Sequence, residues 1–304
     1  MEIKGQTSLF EAIGMTVPKL KLDKPVRLIE LFSGIGAQAK AFENLGIEFE
    51  PYKTAEWEYH AVLSYKAIHC PEDKIDYSEE FDKDFIANYL YRVGISSDGK
   101  KPMMYPQVVR LGEKRLRQIF NAYKATHNIG SIVNAKAEDL EIKYTDKYTY
   151  FMTYSFPCQD LSNAGKQAGM AKGAGTRSGM LWEVERLLME CKEKPQILLM
   201  ENVPQIHSKK NMPDFQMWID SLAEMGYTSV YEDLNAKDFG VPQNRNRTFM
   251  VSWLGDYSYE FPEGFELKLR LKDVLDEVVD EKYYLSQEAV DGLVRQMDRP
   301  IDPH

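Results

Sequence analysis

Three stretches of the chain carry groups suited to covalent catalysis. "YSFPCQDLSNAGKQAGMAKGAGTRSG" brings a run that reads as a strand to Cys158, held between Pro157 and Gln159, and continues as a Gly-rich loop to Gly179. "LLMENV" ends another apolar run on Glu201 and Asn202, where an ionised carboxylate is costly unless it is solvated, paired or used. "GVPQNRNRTFMV" alternates Gln243, Arg245 and Arg247 into a third run, and a period of two turns all three to one face. A thiolate adds to an electron-poor ring carbon, a carboxylic acid stabilises the charge that results, and a guanidinium holds a ring oxygen. Read singly, each stretch has a plainer meaning: a buried inert cysteine, a satisfied carboxylate, a solvated strand edge.

A second group of residues suits a nucleoside. In "LIELFSGIGAQ" Gly34 and Gly36 fall at the turn from a strand into a helix, where glycine lets a ligand approach the backbone and the helix start offers free N–H groups. The third glycine of the dinucleotide fingerprint is missing at its usual spacing. The next strand ends in Glu56-Trp57, a carboxylate able to accept ribose hydroxyls beside an indole able to stack on a base. Asp139, in "KAEDLEI", is placed to accept from an adenine amino group, or simply to cap a loop. Together these favour an adenosine without a pyrophosphate, and S-adenosylmethionine fits.

The elements that must position these groups follow from the pattern. "VRLIELF", "EFEPYKTAEW", "YTYFMTYSF", "QILLMEN", "YTSVYEDL" and "RTFMVSWL" read as strands, and helical segments separate most of them. Repeated βα units predict a mainly parallel sheet with helices on both faces, an α/β Rossmann-like architecture. Residues 1–25 read as a tail, 26–254 as the catalytic domain, 72–130 as a helical insertion within it, and 255–304 as loop followed by helix. The chain has 304 residues and 43% hydrophobic residues, enough for one sizeable core, and no apolar run long enough to span a bilayer. Three widely spaced cysteines, Cys70, Cys158 and Cys191, and a start without signal-peptide character predict a reducing, cytoplasmic setting. No Cys/His spacing suggests a metal site, and the net charge of −9 argues against a uniformly basic nucleic-acid binder while leaving room for a basic cleft.

In their order along the chain, "ELFSGIG", "EW" at 56–57, "ED" at 138–139, "PCQ" at 157–159, "ENV" at 201–203 and "QNRNR" at 243–247 resemble the motifs of bacterial and phage cytosine-C5 DNA methyltransferases. The resemblance implies an S-adenosylmethionine-dependent methyltransferase fold, with S-adenosylhomocysteine as product and double-stranded DNA as partner. It implies Cys158 as the nucleophile at C6 of a cytosine flipped out of the duplex, Glu201 at N3, and Arg245 and Arg247 near the base and its backbone, with Arg247 at O2. It places Phe32, Gly34, Gly36, Glu56, Trp57, Asp139, Leu140, Pro157 and Leu181 around the cofactor. Gln159, Ser162, Asn202 and Gln243 fall near the target nucleotide.

The sequence departs from the family pattern in several places. Ala37 stands where many members have another glycine, and the stretch from Trp57 to Asp139 is longer than in compact members. A target-recognition region and a closing Gly-Asn motif are not found, although "KYYLSQEAV" resembles the entry to that region. These departures predict a catalytic fragment or one half of a split enzyme, weakly active alone, with a separate C-terminal half as partner. Two other readings stand beside it: a tRNA-type RNA methyltransferase on the same fold, and a catalytically silent adaptor. In the tail, "QTSLF" from Gln6 to Phe10 resembles peptides that dock on the bacterial sliding clamp; a helix patching the core is the alternative.

Overall fold

The computed structural model describes residues 23–157, 169–173, 178–255 and 259–297. The tail with Gln6–Phe10, and Cys158, Gln159 and Ser162, lie outside the described residues. The six predicted strands are all present: β1 (Val26–Leu31), β2 (Phe49–Ala55), β3 (Thr149–Tyr154), β4 (Ile197–Asn202), β5 (Tyr227–Asn235) and β6 (Asn246–Leu254). They form one sheet in the order β2-β1-β3-β4-β6-β5. The first four run parallel, and β6 runs antiparallel to both β4 and β5. The reversal follows from the connection: residues 236–245 hold only a short 3-10 turn, Ala236–Phe239, and no crossover helix, so β5 and β6 pair as a hairpin.

The interior strands are apolar on both faces, as a sheet covered on both sides requires. Val26 and Leu28 pack with Ala39 and Phe42 of α1 (Ala37–Asn44) and Tyr65 of α2 (Tyr59–His69). Ile29 and Leu31 face the other way, into the core built by α6 (Leu181–Glu190) and α7 (Met212–Glu224), with Trp182, Leu187, Phe215 and Trp218. Helix α1 ends in a Schellman turn: Gly46, at φ +64°, donates to Glu43 O and Ile47 donates to Phe42 O.

The insertion holds α3 (Lys83–Arg92), α4 (Tyr105–Arg110) and α5 (Glu113–Ala125). Ile86, Leu90, Leu116, Ile119, Phe120 and Tyr123 form its own core, shared with Tyr59 and Val62 of α2. Its end returns to the sheet: Thr54 donates to His127 O and accepts from Ile129 N, which lays residues 127–129 along the outer side of β2. After Leu254 only the first residues stay on the domain, where Tyr259 meets Trp253 and Phe265 donates to Asp238 O. Helix α8 (Gln287–Met297) follows, and Val278, Tyr283, Tyr284 and Leu285 are 90%, 70%, 68% and 59% exposed. Among the described residues no helix is long and apolar enough to cross a membrane.

One buried charge ties β1 to both covering helices. Glu30, on the same face as Val26 and Leu28, accepts from Ala39 N at 3.1 Å and from the Tyr65 hydroxyl at 2.5 Å. Burial pushes its pKa above the usual carboxylate value, and these two donors oppose the rise. The folded state therefore holds this proton more tightly, so its contribution to stability falls as pH rises above about 4.5. Tyr65→Phe removes a donor to the charged form. Its loss of stability, about 1.5–3 kcal/mol at pH 7, shrinks at pH 4. Denaturant midpoints at the two pH values check this, and an equal deficit at both would contradict it.

Candidate active site

The strand register brings the predicted residues to one edge. Leu31 pairs with Ala55 on one side and Tyr154 on the other, and Tyr154 pairs with Met200. The Gly turn, Glu56-Trp57, Phe156-Pro157 and Glu201-Asn202 therefore leave the sheet side by side, at the carboxyl ends where open α/β sheets bind ligands. Because β6 is reversed, its start arrives at that same edge and delivers Arg245 and Arg247.

At the first turn Phe32, Gly34 and Gly36 have φ of +57°, +54° and +85°. Gly36 caps α1 and donates to Ser33 O, while Ser33 N reaches Ala55 O. A Cβ on Gly36 would lie 2.3 Å from His69 Nε2 and 2.7 Å from Tyr65 Cε2, so glycine is required there by both space and conformation. A Cβ on Gly34 would meet nothing within 4 Å. Gly34 thus edges open space at the turn.

Glu56 closes the other wall. One carboxylate oxygen accepts from Gly34 N at 3.0 Å and the other from Glu58 N at 2.8 Å. The backbone N–H of Trp57 also acts on this carboxylate, so main-chain donors hold it from both sides of the corner. Burial pushes the Glu56 pKa up, and the backbone donors oppose it. Trp57 is half-buried next to it, and Glu58 caps α2 by accepting from His60 N and Ala61 N.

Three further expected cofactor contacts lie in different surroundings. Leu140 and Leu181 are buried among the main core residues. Asp139 is exposed and caps a 3-10 turn by accepting from Lys136 N at 2.8 Å. It lines a cavity of about 860 Å³ with Tyr89, Arg92, Lys124 and Lys136; Gly34, Glu56 and Trp57 are not among the lining residues.

Glu201 is the centre of the second group. Arg247 Nε lies 3.0 Å and Arg245 Nη2 3.2 Å from the same carboxylate oxygen. Arg247 is the better covered of the two, its side chain 23% exposed against 46%. Gln243 is exposed just before them. Asn202, expected near the target nucleotide, instead is buried and turned into the protein: it donates to Phe156 O at 3.1 Å and accepts from Val203 N. Pro157 O accepts from Ser178 Oγ at 2.9 Å. The backbone approaching Cys158 is thus pinned at two consecutive carbonyls. Burial raises both described cysteines, Cys191 up to about 11 and Cys70 more modestly, so each stays a protonated thiol.

Sequence reading missed Glu30 and the bracing role of Asn202. A charged residue inside "LIELF" was the available signal for the first; the second has none, because its partner is 46 residues away. Among the described residues no cluster of His, Cys, Asp and Glu could hold a metal ion.

The two glycines separate folding from binding. Gly34→Ala folds with a loss of about 1–2 kcal/mol for the left-handed backbone but binds S-adenosylhomocysteine at least about tenfold more weakly. Gly36→Ala adds steric overlap and loses more stability than Gly34→Ala. Thermal melts and calorimetric titration read both effects, and a normal affinity in Gly34→Ala would contradict the assignment of that space.

Comparison with known proteins agrees with this geometry. The family model for C-5 cytosine-specific DNA methylase matches residues 26–90 and 109–303. The orphan methyltransferase M.SssI of Spiroplasma monobiae is 40% identical over 267 residues, which span 86% of this chain and 68% of that protein. The type II methyltransferase M2.ScrFI of Lactococcus lactis subsp. cremoris is 35% identical over 269 residues, 87% of this chain and 71% of its own length. In fold, the chain is similar to the S. pombe Dnmt2 methyltransferase (TM-score 0.55, 17% identity, 90% of this chain and 67% of that one). It is similarly close to the Entamoeba histolytica methyltransferase EhMeth (TM-score 0.54, 18% identity, 88% and 65%). The chain belongs to the C-5 cytosine-specific DNA methylase family, whose chemistry is S-adenosylmethionine-dependent methyl transfer to cytosine.

Proposed function

We propose that this chain is the catalytic part of an enzyme that methylates cytosine C5 in duplex DNA. The observation that carries the reading is the Glu201 carboxylate held by Arg245 and Arg247 at the edge shared with the Gly34–Glu56 corner. S-adenosylmethionine, bound at that corner, supplies an electrophilic methyl group on sulfur. The Cys158 thiolate forms a bond to C6 of the everted base, and the electron pair moves to C5, making it nucleophilic. Glu201 in its acid form donates a hydrogen bond to N3 and so stabilises the charge that addition places on the ring, while Arg247 holds O2 and Arg245 lies nearer the backbone. C5 takes the methyl group as the methyl–sulfur bond breaks, with S-adenosylhomocysteine as the leaving product; a water-borne base then takes the C5 proton, the 5,6 double bond re-forms, the thiolate is expelled and Glu201 recovers its share of the N3 proton. Asn202 and Ser178 hold the backbone from which Cys158 extends.

The exposed Val278, Tyr283, Tyr284 and Leu285 support further polypeptide packing on this region, in the same chain or as a separate half. For Gln6–Phe10, docking on the sliding clamp is the second reading, behind a tail helix that packs on the core: lower recovery of clamp by Leu9→Ala/Phe10→Ala in a pull-down favours docking, and equal recovery ends that idea.

Methyl transfer to duplex DNA and to tRNA, measured with and without a supplied C-terminal half, tests the reading. DNA carrying 5-fluorocytosine traps a covalent adduct with the wild type and none with Cys158→Ser. Glu201→Gln slows transfer by about 10²–10⁴-fold, and Arg247→Ala costs more than Arg245→Ala. Preferential methylation of tRNA, or an adduct that survives Cys158→Ser, would overturn it.

A further inference from the structure

The helical insertion grips the backbone at the Glu56-Trp57 corner. Every polar backbone group at the Glu56-Trp57 corner with a partner across the fold finds it in residues 96–129. Glu56 N donates to Asn128 Oδ1 at 3.2 Å, and Glu56 O accepts from the Tyr123 hydroxyl at 3.0 Å. Trp57 O accepts from Ser96 N at 2.7 Å, and Tyr59 N donates to Ser96 O at 3.0 Å. Two residues before Glu56, the Thr54 backbone donates to His127 O and accepts from Ile129 N. Asn128 also accepts from Gly130 N at 2.7 Å, which fixes the amide that receives Glu56.

These partners are rigid. Tyr123 is 1% exposed and Asn128 5% exposed. Tyr123 stands on α5 with Leu116, Ile119 and Phe120 in the insertion core, so its ring is set by that core and its hydroxyl by the corner. Burial holds the phenol protonated, and it remains a donor at all ordinary pH. The Glu56 side chain in turn reaches back to Gly34 N. A continuous series runs from the insertion core through Tyr123 and the Glu56 backbone to the Gly turn.

We propose that Tyr123 and Asn128 are positioning residues for the cofactor, and that the insertion serves as the mould that sets the Glu56-Trp57 corner. The inference rests on the reading that Glu56 holds the ribose, and the test separates the two. Binding of S-adenosylhomocysteine to the full chain is measured by calorimetry for the wild type, Tyr123→Phe, Phe120→Leu and Glu56→Gln, with melting temperatures alongside. Phe120→Leu loosens the same core without touching the corner. Steady-state KM for S-adenosylmethionine and for DNA is measured wherever turnover permits.

The expected result is a loss of affinity of about 5- to 10-fold in Tyr123→Phe, the worth of one hydrogen bond. It comes with a raised KM for S-adenosylmethionine and an unchanged KM for DNA. Phe120→Leu lowers the melting temperature but leaves affinity within about twofold, and Glu56→Gln binds at least about tenfold more weakly. Wild-type affinity in Tyr123→Phe with weak binding in Glu56→Gln overturns the proposal and leaves the Glu56 reading intact. Equal losses in Tyr123→Phe and Phe120→Leu overturn it as general destabilisation. Wild-type affinity in Glu56→Gln overturns the reading beneath it.

Discussion

Three carboxylates stand at or just beyond the ends of neighbouring strands, and none can leave water without a partner. Glu30 takes the amide of Ala39 and the hydroxyl of Tyr65, Glu56 takes the amides of Gly34 and Glu58, and Glu201 takes two guanidinium groups. Two of the three use main-chain amides and the third uses guanidinium groups, and each fixes a different part of the sheet edge. Glu30 seats α1 so that its first turn opens at the sheet edge. Glu56 joins the ends of β1 and β2. Glu201 draws the start of β6 against the end of β4. The geometry of the edge is therefore a consequence of satisfying charge there.

Division of labour follows from this. The apolar runs place strand ends within reach of one another but confer no chemistry. The polar residues at those ends, and the backbone beside them, are in turn oriented by Tyr65, Asn202 and Ser178. Main-chain carbonyls of Phe156 and Pro157 are held one after the other, which fixes the backbone before Cys158 without using any side chain of that segment.

Much of this was legible in the residues, for identifiable reasons. Strands such as "VRLIEL" and "ILLMEN" announce themselves because both faces are buried, and α1 because Gly46 stops it where a left-handed residue is needed. Glu201 with its arginines was legible as a carboxylate needing a partner and two cations spaced by two. Other features were not. The antiparallel course of β6 depends on a connection whose length, rather than its composition, matters. Pairings such as Asn202 with Phe156, or Glu56 with Asn128, join positions 46 and 72 residues apart, and no local pattern encodes them.

The course of residues 127–129 beside β2 has a further effect. With that ladder occupied, β5 is the sheet's open margin among the described residues. Its outer backbone groups are a place where a foreign strand could add, and exposed Glu232 sets a negative charge on that strand, whereas Asp233 is paired with His207. Addition of a second copy there is opposed by repulsion that weakens as salt rises.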